Sequence, residues 1–248
     1  MAVTKRALIL AAGRGTRLGN LTSNLPKCLI EFHGQSLLSR ALSALESAGV
    51  TDVRLVTGYK CEQLAAFNLT TYHNRDWEST GIFCSCYCAD SWLAKERTLI
   101  IYSDIFFAAD DIAHIRTMDQ DLIVAYESRA IELWKRRFIN PLDDLEVFRI
   151  ADSGKILDIG GSPSGFQDVQ GQYTGIISLS PYGWELLKAA AAKLGQSHAK
   201  VVDMTTLLRE LVKTGVHILG VPLTCSWGEI DYEHDLNVFQ SLFRLRDF

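Results

Sequence analysis

Near its N-terminus the chain reads Leu8-Ile9-Leu10-Ala11-Ala12-Gly13-Arg14-Gly15-Thr16-Arg17-Leu18, so a short apolar run leads directly into two closely spaced glycines. The apolar part, from Ala7 to Ala11, predicts a buried strand, and the segment from Gly13 to Asn24 predicts a loop rich in glycine and threonine. A glycine loop after a strand lets backbone N–H groups approach a polyphosphate closely. The same pattern also occurs as a plain structural turn, and the loop alone does not separate the two interpretations.

Two common phosphate-binding motifs do not fit the spacing of this loop. The dinucleotide fingerprint requires a glycine at position 18, where this chain has Leu18. The P-loop requires a lysine and a serine or threonine after its last glycine, whereas Gly19 is followed by Asn20. A phosphate site here would therefore be of another kind.

Strand-like and helix-like segments alternate through the rest of the first half of the chain. Strands are predicted at 7–11, 53–56 and 97–102, and helices at 36–49 and 61–67, with an ambiguous segment at 79–93. This alternation predicts a mostly parallel sheet with helices on both faces.

The middle of the chain has a different pattern. From about residue 121 to 180, short strand-like runs are broken by proline and glycine, which predicts an antiparallel insertion or sheet extension. Helices are then predicted at 182–194, 202–213 and 233–244, and a strand at 216–221. Because no repeat, low-complexity tract or long linker interrupts the pattern, we expect one domain over 1–248.

The composition excludes several classes of protein. The 248 residues are 48% apolar and carry a net charge of -4, so there is no overall basic field to attract nucleic acid. No segment approaches the ~20 apolar residues of a membrane span. The six cysteines and six histidines lack zinc-ligand spacing. The sequence has no Gly-x-Ser-x-Gly motif, so a covalent intermediate is not expected. We therefore expect a cytoplasmic protein with reduced thiols and neither a nucleic-acid nor a membrane partner.

The residues that follow the glycine loop make the motif more specific. They include Thr22, Pro26-Lys27 and Leu29, and then Gly34 and Leu37-Leu38. Together with the loop they resemble the signature of the sugar-1-phosphate nucleotidyltransferase superfamily, Leu-Ala-Ala-Gly-x-Gly-x-Arg-Leu with a later Pro-Lys. The resemblance implies an α/β fold of three layers, a Rossmann-like (GT-A-like) nucleotidyltransferase with a mixed sheet and a small antiparallel insertion.

This resemblance also implies how a nucleoside triphosphate binds. The loop backbone would cradle the NTP, and Arg17 and Lys27 would neutralise its phosphates. Fixed cations suit the chemistry, because attack at the α-phosphate builds charge on its oxygens and on the departing pyrophosphate. The expected NTP-binding residues are Leu10, Ala11, Ala12, Gly13, Arg14, Gly15, Thr16, Arg17, Lys27 and Ser85.

A magnesium ion is implied as the cofactor, since a triphosphate binds as its magnesium complex. The superfamily pattern has one metal-binding aspartate after the 97–102 strand, here Asp104, and one in the segment Trp227-Gly-Glu-Ile-Asp231. Asp235 is the alternative at the second position, although it also suits the start of a helix. We expect Arg17, Lys27, Asp104 and Asp231 to be catalytic, with the two aspartates as metal ligands.

Later segments resemble the cytidylyltransferases of phosphocholine, phosphonates and phosphoglutamine. The similar blocks are 100–105, 133–137, 141–146, 171–175 and 203–205, and the similarity extends from about residue 5 to 240. One departure is the segment from Ser79 to Ser85, which stands where phosphocholine enzymes have a pair of asparagines. This departure weakens the case for a choline acceptor and leaves recognition of the base open.

The acceptor side carries a cluster of cations in the predicted insertion, where this family binds its acceptor. Arginine suits two-point capture of a carboxylate or phosphonate, although a Lys-Arg-Arg run is also common on solvated surfaces. The cluster consists of Arg129, Lys135, Arg136 and Arg137. The expected acceptor-binding residues are Arg129, Trp134, Arg136, Arg137, Gln172, Tyr173 and Glu229.

We therefore expect CMP transfer from CTP to a phosphonate or phosphomonoester (phosphonoformate-like, phosphoglutamine-like or phosphocholine), with release of pyrophosphate and no covalent intermediate. A homodimer is compatible with the sequence. Uridylyl or thymidylyl transfer to a sugar 1-phosphate would keep the fold and change the substrates. A non-catalytic nucleotide sensor would be expected to lack one of the four catalytic residues, and a glycosyltransferase would carry Asp-x-Asp where Asp104 precedes Ile105 and Phe106.

Overall fold

The computed structural model describes residues 3–244, without the side chain of Gln196. The outermost residues of the predicted domain, 1–2 and 245–248, lie outside this described range. The strands are β1 (Arg6–Ala11), β2 (Glu31–Phe32), β3 (Gln35–Ser36), β4 (Asp52–Thr57), β5 (Thr70–His73), β6 (Thr98–Tyr102), β7 (Ile105–Phe107), β8 (Leu122–Glu127), β9 (Phe148–Ile150), β10 (Ile156–Ile159), β11 (Gln172–Leu179), β12 (Leu219–Pro222) and β13 (Trp227–Glu229).

Helices connect and cover these strands. The α-helices are α1 (Leu37–Ser47), α2 (Ile82–Tyr87), α3 (Asp90–Leu93), α4 (Ala109–Ile115), α5 (Ala130–Arg137), α6 (Pro181–Lys193), α7 (Gln196–Val201), α8 (Met204–Lys213) and α9 (Glu233–Leu242). Short 3-10 helices span Thr16–Thr22, Lys27–Leu29, Cys61–Phe67, Pro141–Asp143 and Phe166–Asp168.

A seven-stranded sheet forms the centre, in the order β12-β8-β11-β6-β1-β4-β5. Four of its strand pairs are parallel. The exception is β11, which runs antiparallel to both of its neighbours. The sheet is thus the mostly parallel, mixed sheet that the alternation of segments predicts.

Apolar residues of the sheet point alternately to two separate cores, as the two-residue period of a strand requires. In β1, Ala7 and Ile9 pack in a core with helices α1, α4 and α9. Leu8 and Leu10 belong to the opposite core, with helices α2, α6 and α8. Helices on both faces of one sheet give the three layers expected from the sequence.

The start of α1 is fixed by a side-chain cap at the predicted position. The hydroxyl of Ser36 accepts a hydrogen bond from the backbone N–H of Ser39 at 3.1 Å, which satisfies one of the donors left free at a helix start. Three other elements differ from the prediction in type or extent. The 61–67 helix is of the 3-10 type, the predicted 202–213 helix is preceded by the separate helix α7, and β12 begins only at Leu219.

The segment 121–180 contains more than the strand-like runs that the sequence indicates. Its end strands β8 and β11 belong to the central sheet, and β9 pairs with β10 in a small antiparallel sheet. The residues between β8 and β9 include helix α5, so a purely strand-like interpretation of this part was wrong. Ala130, Leu133 and Trp134 are buried at helical spacing, whereas Lys135 and Arg136 are exposed.

Candidate active site

Two aspartates meet at one end of a short ribbon formed by β7 and β13. Asp104 lies just before β7, and Asp231 lies two residues after β13. Because the two strands are antiparallel, both aspartates lie at the same end of the ribbon. The backbone N–H of Ile230 donates to the carbonyl of Asp104 at 2.9 Å and closes the ribbon at this end. Two carboxylates that are far apart in sequence are thereby held next to each other.

The ammonium group of Lys27 lies between these two carboxylates. Its Nζ donates to Oδ2 of Asp104 at 2.6 Å and to Oδ1 of Asp231 at 2.5 Å. Burial by itself would lower the pKa of Lys27, but the charges of Asp104 and Asp231 outweigh burial and raise that pKa above its ordinary value. Lys27 is therefore a charged, buried bridge between the two aspartates.

Asp231 receives a second cation from the glycine loop. The Arg17 guanidinium lies 2.9 Å from Oδ1 of Asp231, and it also lies over the ring of Tyr232. Burial would raise the pKa of the Asp231 carboxyl, yet Lys27 and Arg17 hold the pKa below its usual range. The four residues expected to be catalytic, Arg17, Lys27, Asp104 and Asp231, are thus one connected cluster.

The glycine loop lies directly against Lys27. Gly15 has a left-handed backbone (φ 73°), and a Cβ atom at this position would come within 2.6 Å of Cδ of Lys27. Only glycine fits such a position without a shift of the lysine. The carbonyl of Gly15 in turn accepts hydrogen bonds from the Leu18 N–H at 3.1 Å and the Thr22 hydroxyl at 3.0 Å. The loop is therefore closed on itself, with Gly13 and Thr16 exposed at its surface.

The other residues expected to bind the nucleotide lie on both sides of this loop. Leu10 and Ala11 end strand β1, and Ala12 follows them, all three buried. Arg14 has its guanidinium over the ring of Tyr59, with the centre 5.7 Å away. Ser85 is buried in α2, where its hydroxyl accepts a hydrogen bond from the side-chain amide of Asn74 at 3.1 Å. No local pattern points to Asn74, because its contact with Ser85 depends on the packing of α2.

Arg137, which was expected to bind the acceptor, has a different role in the structure. Its guanidinium binds both carboxylate oxygens of Asp235, at 2.8 and 3.1 Å, and both side chains are fully buried. Oδ2 of Asp235 also accepts from the backbone N–H groups of Asp231 and Tyr232, at 2.9 and 2.8 Å. Arg137 therefore holds the turn that carries Asp231, and Asp235 closes the start of α9, the alternative role considered for it.

Glu229 lies between these two networks. Its carboxyl accepts a hydrogen bond from the Arg137 guanidinium at 3.1 Å. Burial, followed by the nearby charge of Asp231, raises the pKa of Glu229 well above its usual range despite the opposing effect of Arg137. Glu229 thus lies close to the aspartate pair and is bound by Arg137, while its expected contact with the acceptor stays a prediction.

The predicted cation cluster does not converge on one point. Arg129 is bound to the Glu127 carboxylate at 2.9 Å and to the carbonyl of Cys225 at 3.2 Å. Lys135 lies over the Phe166 ring, 5.2 Å from its centre. Arg136 is likewise exposed, and neither Arg136 nor Lys135 forms an ion pair with another described residue, so both remain available to a ligand.

The three uncharged acceptor candidates also occupy distinct environments. Trp134 is fully buried, stacks on Trp227, and donates its indole N–H to Asp144 at 2.8 Å, so it belongs to the core. The side-chain carbonyl of Gln172 accepts from the backbone N–H of Glu146 at 3.1 Å. Tyr173 is buried and packs edge-on against another tyrosine, Tyr102, with which its hydroxyl interacts.

Two blocks that resemble the cytidylyltransferases come together at Glu146. The Thr205 hydroxyl donates to the Glu146 carboxyl at 3.1 Å and lies 3.3 Å from a carboxyl oxygen of Asp203. Burial raises the pKa of Glu146 to about 7, helped by the charges of Asp203 and Asp144. Both blocks are recognisable in the sequence, but neither indicates that they meet, so no role for Glu146 could be predicted.

The aspartate pair has the donor chemistry that magnesium prefers. Oδ1 of Asp104 is a buried carboxylate oxygen with no hydrogen-bond partner among the described residues. Within residues 3–244, no cluster of three or more histidine, cysteine or acidic side chains is suited to a metal ion. Magnesium takes one or two carboxylates together with substrate phosphates and water, rather than a complete protein cage. Two carboxylates, one with an unsatisfied oxygen, therefore fit this ion.

A cleft of about 1050 Å³ lies at the opposite end of the β7–β13 ribbon from the two aspartates. Its lining includes Phe107 at the end of β7, and Thr224 and Cys225 before β13. It also includes Arg129, which therefore lies away from Asp104 and Asp231. We assign the functional site to the aspartate pair, because the cleft contains neither these carboxylates nor the glycine loop.

Comparison with known proteins shows similarity to nucleotidyltransferases. Residues 7–163 match the MobA-like NTP transferase domain. The chain is 27% identical to the CTP:phosphoglutamine cytidylyltransferase of Campylobacter jejuni, over 94% of this chain and 98% of that protein. It is 30% identical to the 2-aminoethylphosphonate cytidylyltransferase of Lancefieldella rimae, over 62% of this chain and 60% of that protein.

Two solved structures share the fold. The inositol-1-phosphate CTP transferase from T. maritima has a TM-score of 0.78 and 18% identity, over 97% of both chains. The CTP:phosphocholine cytidylyltransferase from Streptococcus pneumoniae has a TM-score of 0.70 and 21% identity, over 96% of this chain and 99% of that chain. No helix within residues 3–244 is long and apolar enough to span a bilayer. The matched domain contains the glycine loop, Lys27 and Asp104, and the chain belongs to the MobA-like NTP transferase family.

Proposed function

We propose that this protein transfers CMP from CTP to a small acceptor that carries a phosphate or phosphonate group, with release of pyrophosphate. The observation that carries the proposal is the position of Lys27 between Asp104 and Asp231, against a glycine loop at the end of β1. CTP is favoured as the donor because the two sequence relatives are both cytidylyltransferases, and one of them matches nearly the whole chain.

The nucleotide would bind along the glycine loop. Backbone N–H groups from Gly13 to Thr16 would donate to the triphosphate oxygens, and Arg17 would pair with a phosphate. Arg17 suits this role because its side chain is 52% exposed although it touches Asp231, so it can reach a ligand from the site rim. Fixed cations of this kind stabilise the charge that develops on the departing pyrophosphate.

Asp104 and Asp231 would hold a magnesium ion, and the unsatisfied Oδ1 of Asp104 supports that assignment. The ion would supply positive charge that offsets the triphosphate and the developing charge at the α-phosphate. Arg137 and Asp235 would keep Asp231 in position through the two backbone N–H groups that Asp235 accepts. This arrangement assigns a positioning role, not a catalytic one, to the buried ion pair.

The reaction would be a direct in-line displacement. An oxygen of the acceptor phosphate or phosphonate attacks the α-phosphorus of CTP, a new P–O bond forms, and the bond to pyrophosphate breaks. Such an oxygen is already ionised near neutral pH, so no strong general base is required. The chain accordingly would contribute orientation and electrostatic stabilisation.

The acceptor would bind between α5 and the start of β11. Lys135 and Arg136 are the exposed cations there, and Arg136 is the one that could bind an anionic group with two hydrogen bonds. Arginine binds phosphonate and carboxylate groups through two parallel hydrogen bonds, which favours an anionic acceptor. The six cysteines are free thiols, and a cytoplasmic location would keep them reduced.

Pyrophosphate release in the presence of magnesium tests the proposal directly. Each of four NTPs would be combined with phosphoglutamine, phosphonoformate, 2-aminoethylphosphonate, phosphocholine and glucose 1-phosphate. We expect release with CTP and at least one phosphonate or non-sugar phosphate. Release only with UTP or dTTP and glucose 1-phosphate would overturn the proposed substrates, and silence with every pair, while CTP still binds, would argue against the proposed enzyme activity.

A further inference from the structure

The ammonium group of Lys27 stands where the two proposed metal ligands come together. A single nitrogen atom lies within hydrogen-bonding distance of one oxygen from Asp104 and one from Asp231. No other side chain of the described residues bridges this pair. A cation of the chain therefore already occupies the space between two carboxylates that would otherwise bind a metal ion.

The position of Lys27 is fixed by its surroundings. The residue begins a 3-10 helix after Pro26, and its side chain is 10% exposed. Its aliphatic stem packs against Gly15, where an added Cβ would lie 2.6 Å from Cδ and 2.9 Å from Cγ of the lysine. A lysine on a solvated surface samples many rotamers, whereas this one is held with its charge between the aspartates.

The charges in direct contact at the aspartate pair balance one another, and Asp144, 3.9 Å from Arg17, adds one more carboxylate at the rim. Asp104 and Asp231 carry two negative charges, and Lys27 and Arg17 supply two positive charges at contact distance. A divalent ion that arrived alone would bring two further positive charges next to Lys27 and Arg17, in a partly buried site where like charges repel strongly. A triphosphate changes this balance, because its negative charge gives both cations of the chain a new partner.

We propose that Lys27 occupies the place of the metal in the nucleotide-free protein, and that a divalent ion binds tightly only when a triphosphate draws the ammonium away from Asp104 and Asp231. This inference rests on the metal site of the proposed function. Lys27 would thus exchange partners, from carboxylates to phosphates, in the step that admits the metal. The free oxygen Oδ1 of Asp104 supports the exchange, since the lysine satisfies only one oxygen of that carboxylate.

A purely structural ion pair is the competing explanation, and the two make different predictions. If Lys27 only balances buried charge, its removal destabilises the protein, as the loss of one partner of a buried pair usually does. If Lys27 stands in for the metal, its removal also creates a divalent-cation site that functions without nucleotide. Metal affinity in the absence of CTP therefore separates the two roles.

The test measures binding of Mn2+ alone, by the electron paramagnetic resonance signal of the free ion, to the wild-type protein and to Lys27→Met. We expect the variant to bind Mn2+ about tenfold more tightly or better, a difference of ~1.4 kcal/mol. Lys95→Met, which removes an exposed lysine outside the site, should match the wild type. In the double variant Lys27→Met with Asp104→Asn the gain should disappear.

Equal Mn2+ affinity of the wild type and Lys27→Met would overturn the proposal, and so would a gain that survives Asp104→Asn. If Lys27→Met does not fold, Lys27→Gln replaces it, because glutamine can still donate to both carboxylates without a positive charge. Thermal unfolding gives a second measurement. Mn2+ without nucleotide should raise the Tm of the lysine variant more than that of the wild type, since a ligand of the folded state stabilises it.

The result does not depend on turnover. Mn2+ binding to the lysine variant is measured without CTP and acceptor, so an inactive acceptor panel leaves this test intact. Conversely, the wild type could transfer CMP while Lys27→Met binds Mn2+ no more tightly than the wild type does. That result would retain the proposed function and overturn only the role of Lys27 as the stand-in for the metal.

Discussion

The guanidinium of Arg137 binds both carboxylate oxygens of Asp235, at 2.8 and 3.1 Å, and neither side chain is exposed to solvent. The same aspartate accepts the backbone N–H of Asp231 at 2.9 Å. A buried pair between α5 and α9 therefore fixes the backbone of Asp231, which contacts Arg17 of the glycine loop. The pair is connected to the site through main-chain hydrogen bonds, and no side chain of the pair needs to touch a substrate.

Replacement of Arg137 by methionine should destabilise the protein by about 3–5 kcal/mol, because Asp235 would then remain charged and buried without its partner. Urea unfolding followed by circular dichroism measures the change. Arg136→Met on the same helix is the matched control, and since Arg136 is exposed we expect a change within ~0.5 kcal/mol. A loss below about 1 kcal/mol in Arg137→Met would contradict the importance given to the buried pair.

Asp104→Asn should lower kcat on the order of a thousandfold, equivalent to ~4 kcal/mol in the barrier, while the protein remains folded. Asparagine keeps the shape of the side chain but removes the charge that a magnesium ion and Lys27 both require. Pyrophosphate release at saturating substrates measures the change. Asp152→Asn, in an exposed turn, should retain full activity. Activity of Asp104→Asn within roughly tenfold of the wild type, about 1.4 kcal/mol, would exclude Asp104 as a metal ligand.

The parts of the fold that the sequence predicted well are those specified by local patterns. Strand β1, the loop after it, and the start of α1 at Ser36 each depend on residues adjacent in the chain. Asp104 could be anticipated for the same reason, because ligand residues tend to follow the ends of parallel strands. The aspartate pair required one long-range inference, and the family resemblance supplied it.

The acceptor side was predicted less well, because its contacts join distant segments. Helix α5 has only eight residues, too few for its helical spacing to stand out among strand-like runs. Arg137 was interpreted as a ligand residue, yet its partner Asp235 lies 98 residues further along the chain. Nothing in a local pattern distinguishes an arginine that is buried against an aspartate from one that is open to a substrate.

Arg136→Ala should raise KM for the acceptor by about tenfold and leave KM for CTP nearly unchanged. The change corresponds to the loss of a charge-assisted hydrogen bond, ~1.5 kcal/mol. The reason for choosing Arg136 is that Arg129 and Arg137 are bound by carboxylates of the chain, whereas Arg136 is exposed. Lys95→Ala serves as the control for loss of one surface charge. Equal increases in both KM values would mean that Arg136 does not lie at the acceptor.

The carboxyl group of Glu146 should make stability depend on pH. Burial raises its pKa from 4.5 to about 7, so between these values the folded protein keeps a proton that the unfolded chain has lost. Because the folded state then binds more protons, this group lowers the free energy of unfolding as the pH rises from about 4.5 to 7, with no further effect above that range.

Glu146→Gln removes the titration but keeps an acceptor for the Thr205 hydroxyl. We therefore expect the variant to match the wild type near pH 5 and to exceed its free energy of unfolding by roughly 2 kcal/mol at pH 8. Urea unfolding of both proteins at the two pH values measures the difference. Glu62→Gln, in which a surface acid outside this cluster is replaced, should show no such pH dependence. A stabilisation of Glu146→Gln that is equal at both pH values would mean that the Glu146 carboxyl does not retain its proton in the folded protein near neutral pH.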